Sequence, residues 1–141
     1  MTKIIGYTTG VFDLFHVGHL NILKQAKKHC DYLIVGVTTD EEVKRVKKKI
    51  PIIPYDERAE IVEAIKYVDK VVPEDNTDKL IATEEIIFNR IFKGDDWKGT
   101  EKWNMYEKAF KEKGIEVVYF PYTKGTSSTH LRNVLDNILS N

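Results

Sequence analysis

Ile4-Ile5-Gly6-Tyr7-Thr8-Thr9-Gly10-Val11-Phe12-Asp13-Leu14-Phe15-His16-Val17-Gly18-His19 decides how the rest of the chain is read. Ile4 to Tyr7 reads as a short buried strand and Thr8 to Asp13 as a tight strand-to-helix turn. Val17 to Lys28 then reads as a helix, with Leu20, Leu23 and Ala26 or Lys27 at helical spacing. His16 and His19, three apart, share one face of that helix at its start. A helix N-terminus carries unpaired N–H groups and a partial positive charge, which makes it a ready anion site. Gly10 lets the backbone approach a ligand closely, and Gly18 keeps the space between the two imidazoles free of a side chain. The pattern predicts two rings at the mouth of a phosphate site, donating hydrogen bonds to charge that builds on a phosphoryl group under attack. Losing one such donor typically raises a barrier by roughly 2.7–4 kcal/mol. Plainer readings stay open: a surface pair, or half of a metal site with no third ligand nearby, and Asp13 as a simple helix cap.

The chain has 141 residues, enough for one core, and a single domain over 1–141 is expected. Lys plus Arg equals Asp plus Glu at 22 each, so there is no broad basic field for nucleic acid. Small molecules or a second copy of the chain are the expected partners. One cysteine, Cys30, excludes an internal disulfide framework and, beside Asp31 at a helix end, reads as packing. No stretch approaches a membrane span and no secretory leader precedes the first strand, so the expected location is the cytoplasm.

Outward from the first helix, strand-like runs alternate with helical ones, the pattern of a parallel sheet covered by helices on both faces. Asp31 to Thr38 is nearly continuous apolar sequence, as in a strand buried on both sides. The basic segment Lys44-Arg45-Val46-Lys47-Lys48-Lys49 leads into Ile50-Pro51-Ile52-Ile53-Pro54, whose prolines mark a loop. Asp56 to Tyr67 reads as a helix with Ala59, Val62 and Ile65 on one face, Lys70 to Val72 as a strand, and Asp78 to about Ile87 as a helix. Arg90 to Lys93 reads as a strand running into Gly94-Asp95-Asp96-Trp97, and Glu101 to Lys113 as a helix stopped at Gly114. Ile115 to Phe120 is the last strand and Ser127 to Leu139 the last helix. The expected fold class is α/β with a parallel five-stranded sheet. The loops at its carboxyl edge, where open parallel sheets bind ligands, collect the histidines, the lysine run, Gly94 to Trp97, and Thr126-Ser127-Ser128-Thr129.

Gly10 to His19, Asp31 to Glu41, the lysines before Pro51, Tyr67-Val68-Asp69, Gly94-Asp95-Asp96-Trp97-Lys98-Gly99 and Gly125-Thr126-Ser127-Ser128-Thr129 together resemble the cytidylyltransferases. These belong to the HxGH nucleotidyltransferase superfamily, and the GDDW element is most similar to the glycerol-3-phosphate cytidylyltransferase group. The resemblance implies a Rossmann-like domain in which a phosphomonoester oxygen attacks the α-phosphate of CTP, giving a CDP-linked alcohol and pyrophosphate without a covalent enzyme intermediate. It also implies Mg2+, held mainly by triphosphate oxygens rather than by the protein. On the same resemblance His16, His19 and Lys47 form the catalytic set, with Lys47 across the α-phosphate. Lys49, Arg58, Lys66, Lys124 and Arg132 become phosphate or acceptor contacts. Thr9, Gly10, Val11, Phe12 and Asp13, then Gly94, Asp95 and Trp97, then Thr123, Gly125, Thr126, Ser127, Ser128 and Thr129 make up the nucleotide site. A homodimer is implied through the helix after the second strand and Lys66-Tyr67-Val68-Asp69.

Each assignment has a plainer counterpart. Lys44 to Lys49 reads equally as a solvated basic loop, Arg58 as an ordinary first-turn helix residue, the two aspartates as turn formers and Trp97 as core. Ser and Thr at the start of the last helix are favoured caps in any case. The chain departs from the cytidylyltransferase pattern Arg-Thr-x-Gly-Ile-Ser-Thr-Thr at Tyr122, where the arginine is absent and Lys124 and Arg132 remain to neutralise the outer phosphates. Arg132 lies in a Ser-Ser-Thr-x-x-Arg arrangement that resembles the adenylyltransferase branch, and Thr77 replaces an aromatic residue of the glycerol-phosphate group. Another phosphorylated alcohol as acceptor, ATP as donor, and a non-catalytic nucleotide-binding module are therefore the alternatives to CTP with glycerol 3-phosphate.

Overall fold

The computed structural model describes residues 3–121 and 128–140. Strands β1 (Ile5–Gly10), β2 (Tyr32–Thr38), β3 (Lys70–Glu74), β4 (Arg90–Gly94) and β5 (Glu116–Phe120) form one parallel sheet in the order β3-β2-β1-β4-β5. Around it lie helices α1 (Val17–Lys28), α2 (Asp40–Lys47), α3 (Tyr55–Glu63), α4 (Lys79–Glu85), α5 (Glu101–Glu112) and α6 (Ser128–Ser140), with a short 3-10 turn over Asp95–Trp97. The expected five-stranded parallel α/β architecture is what the chain adopts. No described helix is long and apolar enough to cross a membrane.

Strand alternation sends Leu33, Val35 and Val37 of β2 to one face, against Leu23 and Ala26 of α1 and Val62 of α3. Ile34, with Tyr7 and Ile91, goes to the other, against Trp103, Tyr106 and Phe110 of α5. Covering both faces explains why β2 is an unbroken apolar run. Each fully buried aliphatic or aromatic side chain contributes roughly 1.5–3 kcal/mol. At Gly36 a Cβ would stand 2.5 Å from the Tyr7 hydroxyl oxygen, so the tyrosine reaches its site only over a glycine.

The differences from expectation fall at element ends. β1 continues past Tyr7 because Thr8, Thr9 and Gly10 pair with Val35, Gly36 and Val37. The turn therefore begins at Val11, and Phe12 and Leu14 take left-handed φ values of 54° and 50°. Such conformations cost of order 1–3 kcal/mol each, offset at Phe12 by a side chain buried in the core. β3 runs on through Pro73, which an edge strand tolerates.

The basic segment is helical where a loop is one expectation. α2 is capped by the Thr39 hydroxyl, which accepts the Glu42 N–H at 3.3 Å. Its first turn holds Asp40, Glu41 and Glu42 and its last holds Lys44, Arg45 and Lys47, matching the helix dipole, before Lys48 ends it at φ 58°. α3 stops at Glu63 rather than Tyr67: the Ile65 N–H closes onto Val62 at 3.1 Å and the Val68 N–H onto Ile65 at 3.0 Å. Those turns still pack Ile65 against the core.

Candidate functional site

β1 and β4 are neighbours, yet the chain leaves β1 for β2, so their carboxyl ends flank the point where strand order reverses. α1 starts there. His16 is its N-cap: Nδ1 accepts the Gly18 N–H at 3.0 Å, while Nδ1 of His19 accepts the His16 N–H at 3.2 Å. This is a reciprocal capping box with imidazoles in place of the usual hydroxyl and carboxyl groups. Because both Nδ1 atoms accept, the ring hydrogens reside on both Nε2 atoms. The ring centroids are 4.1 Å apart. Burial, then the neighbouring His16, lowers His19 to about 4 against the opposing pull of Asp13, and burial also lowers His16. At neutral pH the pair is thus uncharged and presents two N–H donors.

Asp13 is buried, and its carboxylate accepts the Ile52 and Ile53 N–H groups at 2.8 and 2.9 Å and Nη2 of Arg132 at 2.8 Å. The Ser128 hydroxyl donates to the Asp13 carbonyl at 2.6 Å, and Nη1 of Arg132 donates to the Ile50 carbonyl at 3.3 Å. Asp13 is therefore not the cap of α1; it fastens the 50–53 loop and the start of α6 to the first turn.

Arg58 is corrected on similar grounds. It is 1% exposed, and all three of its nitrogens donate into protein: to the carbonyls of Ile53, Val11 and Thr38 and to the Asp40 carboxylate. A guanidinium so enclosed holds loops rather than a phosphate. Lys66 is corrected as well: it precedes β3 at the amino edge of the sheet, with Nζ over the Tyr67 ring, away from the carboxyl edge. Lys49 is exposed beyond the end of α2, and Thr129 is exposed in the first turn of α6. Thr123, Lys124, Gly125, Thr126 and Ser127 lie outside the described residues.

Two cavities open at the carboxyl edge and share Thr9, Gly10, Val11 and Lys47. The first adds Phe12, Asp13, His19 and Ser128. The second adds Glu42, Glu74, Lys79, Lys93, Trp97 and Trp103. Its carboxylates are matched: Glu74 accepts from the Thr38 hydroxyl and from Nζ of Lys79, each at 2.7 Å. Glu42 accepts from Nε and Nη2 of Arg45 at 2.6 and 2.7 Å and from the Thr77 N–H at 2.6 Å. The Arg45 bonds foremost, helped by Thr77, hold Glu42 down at about 2 against its burial. What faces the cavity is then net cationic, with Lys47 and Lys93 prominent.

Glu42, Glu74, Lys79 and Lys93 were missed in the sequence, where each stands alone; the usable signal was that Glu74 and Lys93 lie at the carboxyl ends of β3 and β4. The described residues include no group of three or more His, Cys, Asp or Glu side chains that could hold a metal ion. A donor set of lysines and N–H groups suits a Mg2+ ion carried by phosphate oxygens.

The sequence matches the family model described as cytidylyltransferase-like over residues 7–134. It is 40% identical over 135 residues to a glycerol-3-phosphate cytidylyltransferase of Bacillus subtilis (strain 168), covering 94% of this chain and 95% of that protein. The corresponding protein of Staphylococcus aureus is 35% identical over 136 residues, with 96% of each chain covered. Among solved structures, a lipopolysaccharide core biosynthesis protein from Thermoplasma volcanium is similar, with a TM-score of 0.72 at 30% identity, covering 89% of this chain and 100% of that one.

Proposed function

Since the chain belongs to the cytidylyltransferase-like family, we propose that it transfers the cytidylyl group of CTP to glycerol 3-phosphate, releasing pyrophosphate and forming CDP-glycerol. The observation that carries this reading is the reciprocal histidine cap, which leaves two neutral Nε2–H donors side by side, with His19 lining the cavity that Lys47 also lines. In the transfer an anionic oxygen of the acceptor phosphate forms a bond to the α-phosphorus. The bond from that phosphorus to the oxygen bridging to the β-phosphate breaks, and pyrophosphate leaves with the electron pair. No side chain has to accept a proton. His16 and His19 donate to the oxygens on which charge grows, and Lys47 lies across the α-phosphate. Mg2+, arriving on the triphosphate, would neutralise charge on its oxygens. The first turn, Gly94 to Trp97 and the 123–129 segment belong to the nucleotide in this reading.

A single observation bears on ATP as the donor. Arg132, the residue behind the adenylyltransferase-like pattern, is engaged by Asp13 and Ile50, so the pattern has a structural duty that implies nothing about the base. The test is pyrophosphate release with Mg2+, offering CTP and ATP separately with a panel of phosphomonoesters. Release with CTP and glycerol 3-phosphate is expected. Release only with ATP, or only with another phosphomonoester, would replace the donor or the acceptor, and CTP binding without turnover would make the chain a binding module.

A further inference from the structure

Lys93 sits in β4 one residue from its carboxyl end, with Nζ 5.0 Å from the centroid of the Trp97 ring and 5.9 Å from that of Trp103. Among the described residues no carboxylate lies within ion-pairing distance of it. Glu74 on β3 attracts it but is already bonded to Thr38 and Lys79, and Asp96 attracts it from the exposed 3-10 turn. Lys79 on α4 and Lys47 on α2 repel it, and Lys102 of α5 lines the same cavity. Burial first, then Lys79, outweighs the two carboxylates and lowers the ammonium to about 8. A cation that is partly desolvated between ring faces, with like charges around it, is completed by an anion from solution.

The geometry of the transfer says which anion. The first cavity holds His19 and the start of α6, the second holds Lys93, and Lys47 belongs to both. With the α-phosphate at Lys47 and the departing pyrophosphate on the histidine side, in-line attack brings the incoming oxygen from the opposite side, which is the cavity of Lys93, where Trp97 forms the border with the nucleotide. We propose that Lys93 binds the phosphomonoester dianion of the acceptor and holds its attacking oxygen toward the α-phosphate. This rests on the cytidylyl-transfer reading above.

The test compares wild type, Lys93→Met, which keeps an apolar stem without the charge, and Lys93→Arg, which keeps the charge. With CTP and glycerol 3-phosphate, Lys93→Met should raise KM for glycerol 3-phosphate tenfold or more and leave KM for CTP within twofold, and Lys93→Arg should restore most of the loss. In wild type, kcat/KM for glycerol 3-phosphate should fall as pH rises through about 8, because the free ammonium loses its proton there. The fall should be absent at that pH in Lys93→Arg, whose guanidinium stays charged.

A rise in KM for CTP equal to or above that for the acceptor, no change in either constant, or an unmoved pH limb in Lys93→Arg would each overturn the proposal. Should Lys93→Met fail to fold, the pH profile of Lys93→Arg decides alone. If wild type binds CTP but turns over no phosphomonoester, the transfer reading fails by itself. Calorimetric titration with inorganic phosphate then decides the anion site: tenfold weaker binding to Lys93→Met sustains it, and equal binding overturns it.

Discussion

In the proposed transfer His16 divides its two nitrogens between structure and chemistry. Nδ1 caps α1 through Gly18, and Nε2 is left to donate. Replacement by alanine removes both, at about 1 kcal/mol of stability for the cap and about 2.7–4 kcal/mol of barrier height for the donor. His16→Asn separates the two, since its side-chain oxygen still accepts the Gly18 N–H. The expected outcome is a melting temperature close to wild type with kcat lowered as far as in His16→Ala, roughly 100- to 1,000-fold, while CTP binding is nearly kept. Full activity in His16→Asn would remove the donor role. The place of the histidine pair at the start of α1 was legible in the sequence, because its spacing and the preceding turn are local features. Which nitrogen caps and which is left over was not legible, since that depends on ring orientation.

The segment from Lys48 to Pro54 has the composition of a loose loop, but it is fastened from three directions. Asp13 takes the N–H groups of Ile52 and Ile53, Arg132 donates to Ile50, and Arg58 donates to Ile53. Arg58 is the costliest of these to lose, because its removal leaves three carbonyls, that of Thr38 buried and those of Ile53 and Val11 partly so, without their donor and Asp40 without its cation. Arg58→Met should lower the unfolding free energy by about 1–3 kcal/mol in urea titration, since Asp40 is partly exposed and the main loss is the carbonyls left unpaired. A loss below about 1 kcal/mol would show the loops to be held by other contacts. α2 shows how an element can be present in the sequence and still be passed over. Its Thr39 cap, acidic first turn and basic last turn are all there, and the lysine run reads as loop only when taken without them.

For the whole molecule, the proposal of a homodimer through the helix after β2 and Lys66 to Asp69 gives a direct expectation. Sedimentation equilibrium should return twice the chain mass, and a single-chain mass at every concentration would refute it. In that segment Asp69 is already engaged within its own chain, accepting from Lys27 and from the Leu33 N–H, so the contact would draw on Lys66, Tyr67 and Val68. By itself the amino-acid sequence determined the alternation of strands and helices, the parallel sheet and the histidine pair, because periodicity, turns and caps are written within a few neighbouring residues. Only the tertiary structure decided that Arg58 and Arg132 are held by the loops, and that Glu42, Glu74, Lys79 and Lys93 surround one cavity. The reason is physical: Arg132 meets Asp13 across 119 residues of sequence, and Lys93 shares a cavity with Glu74 only because the order β3-β2-β1-β4-β5 brings the ends of separate strands to one edge.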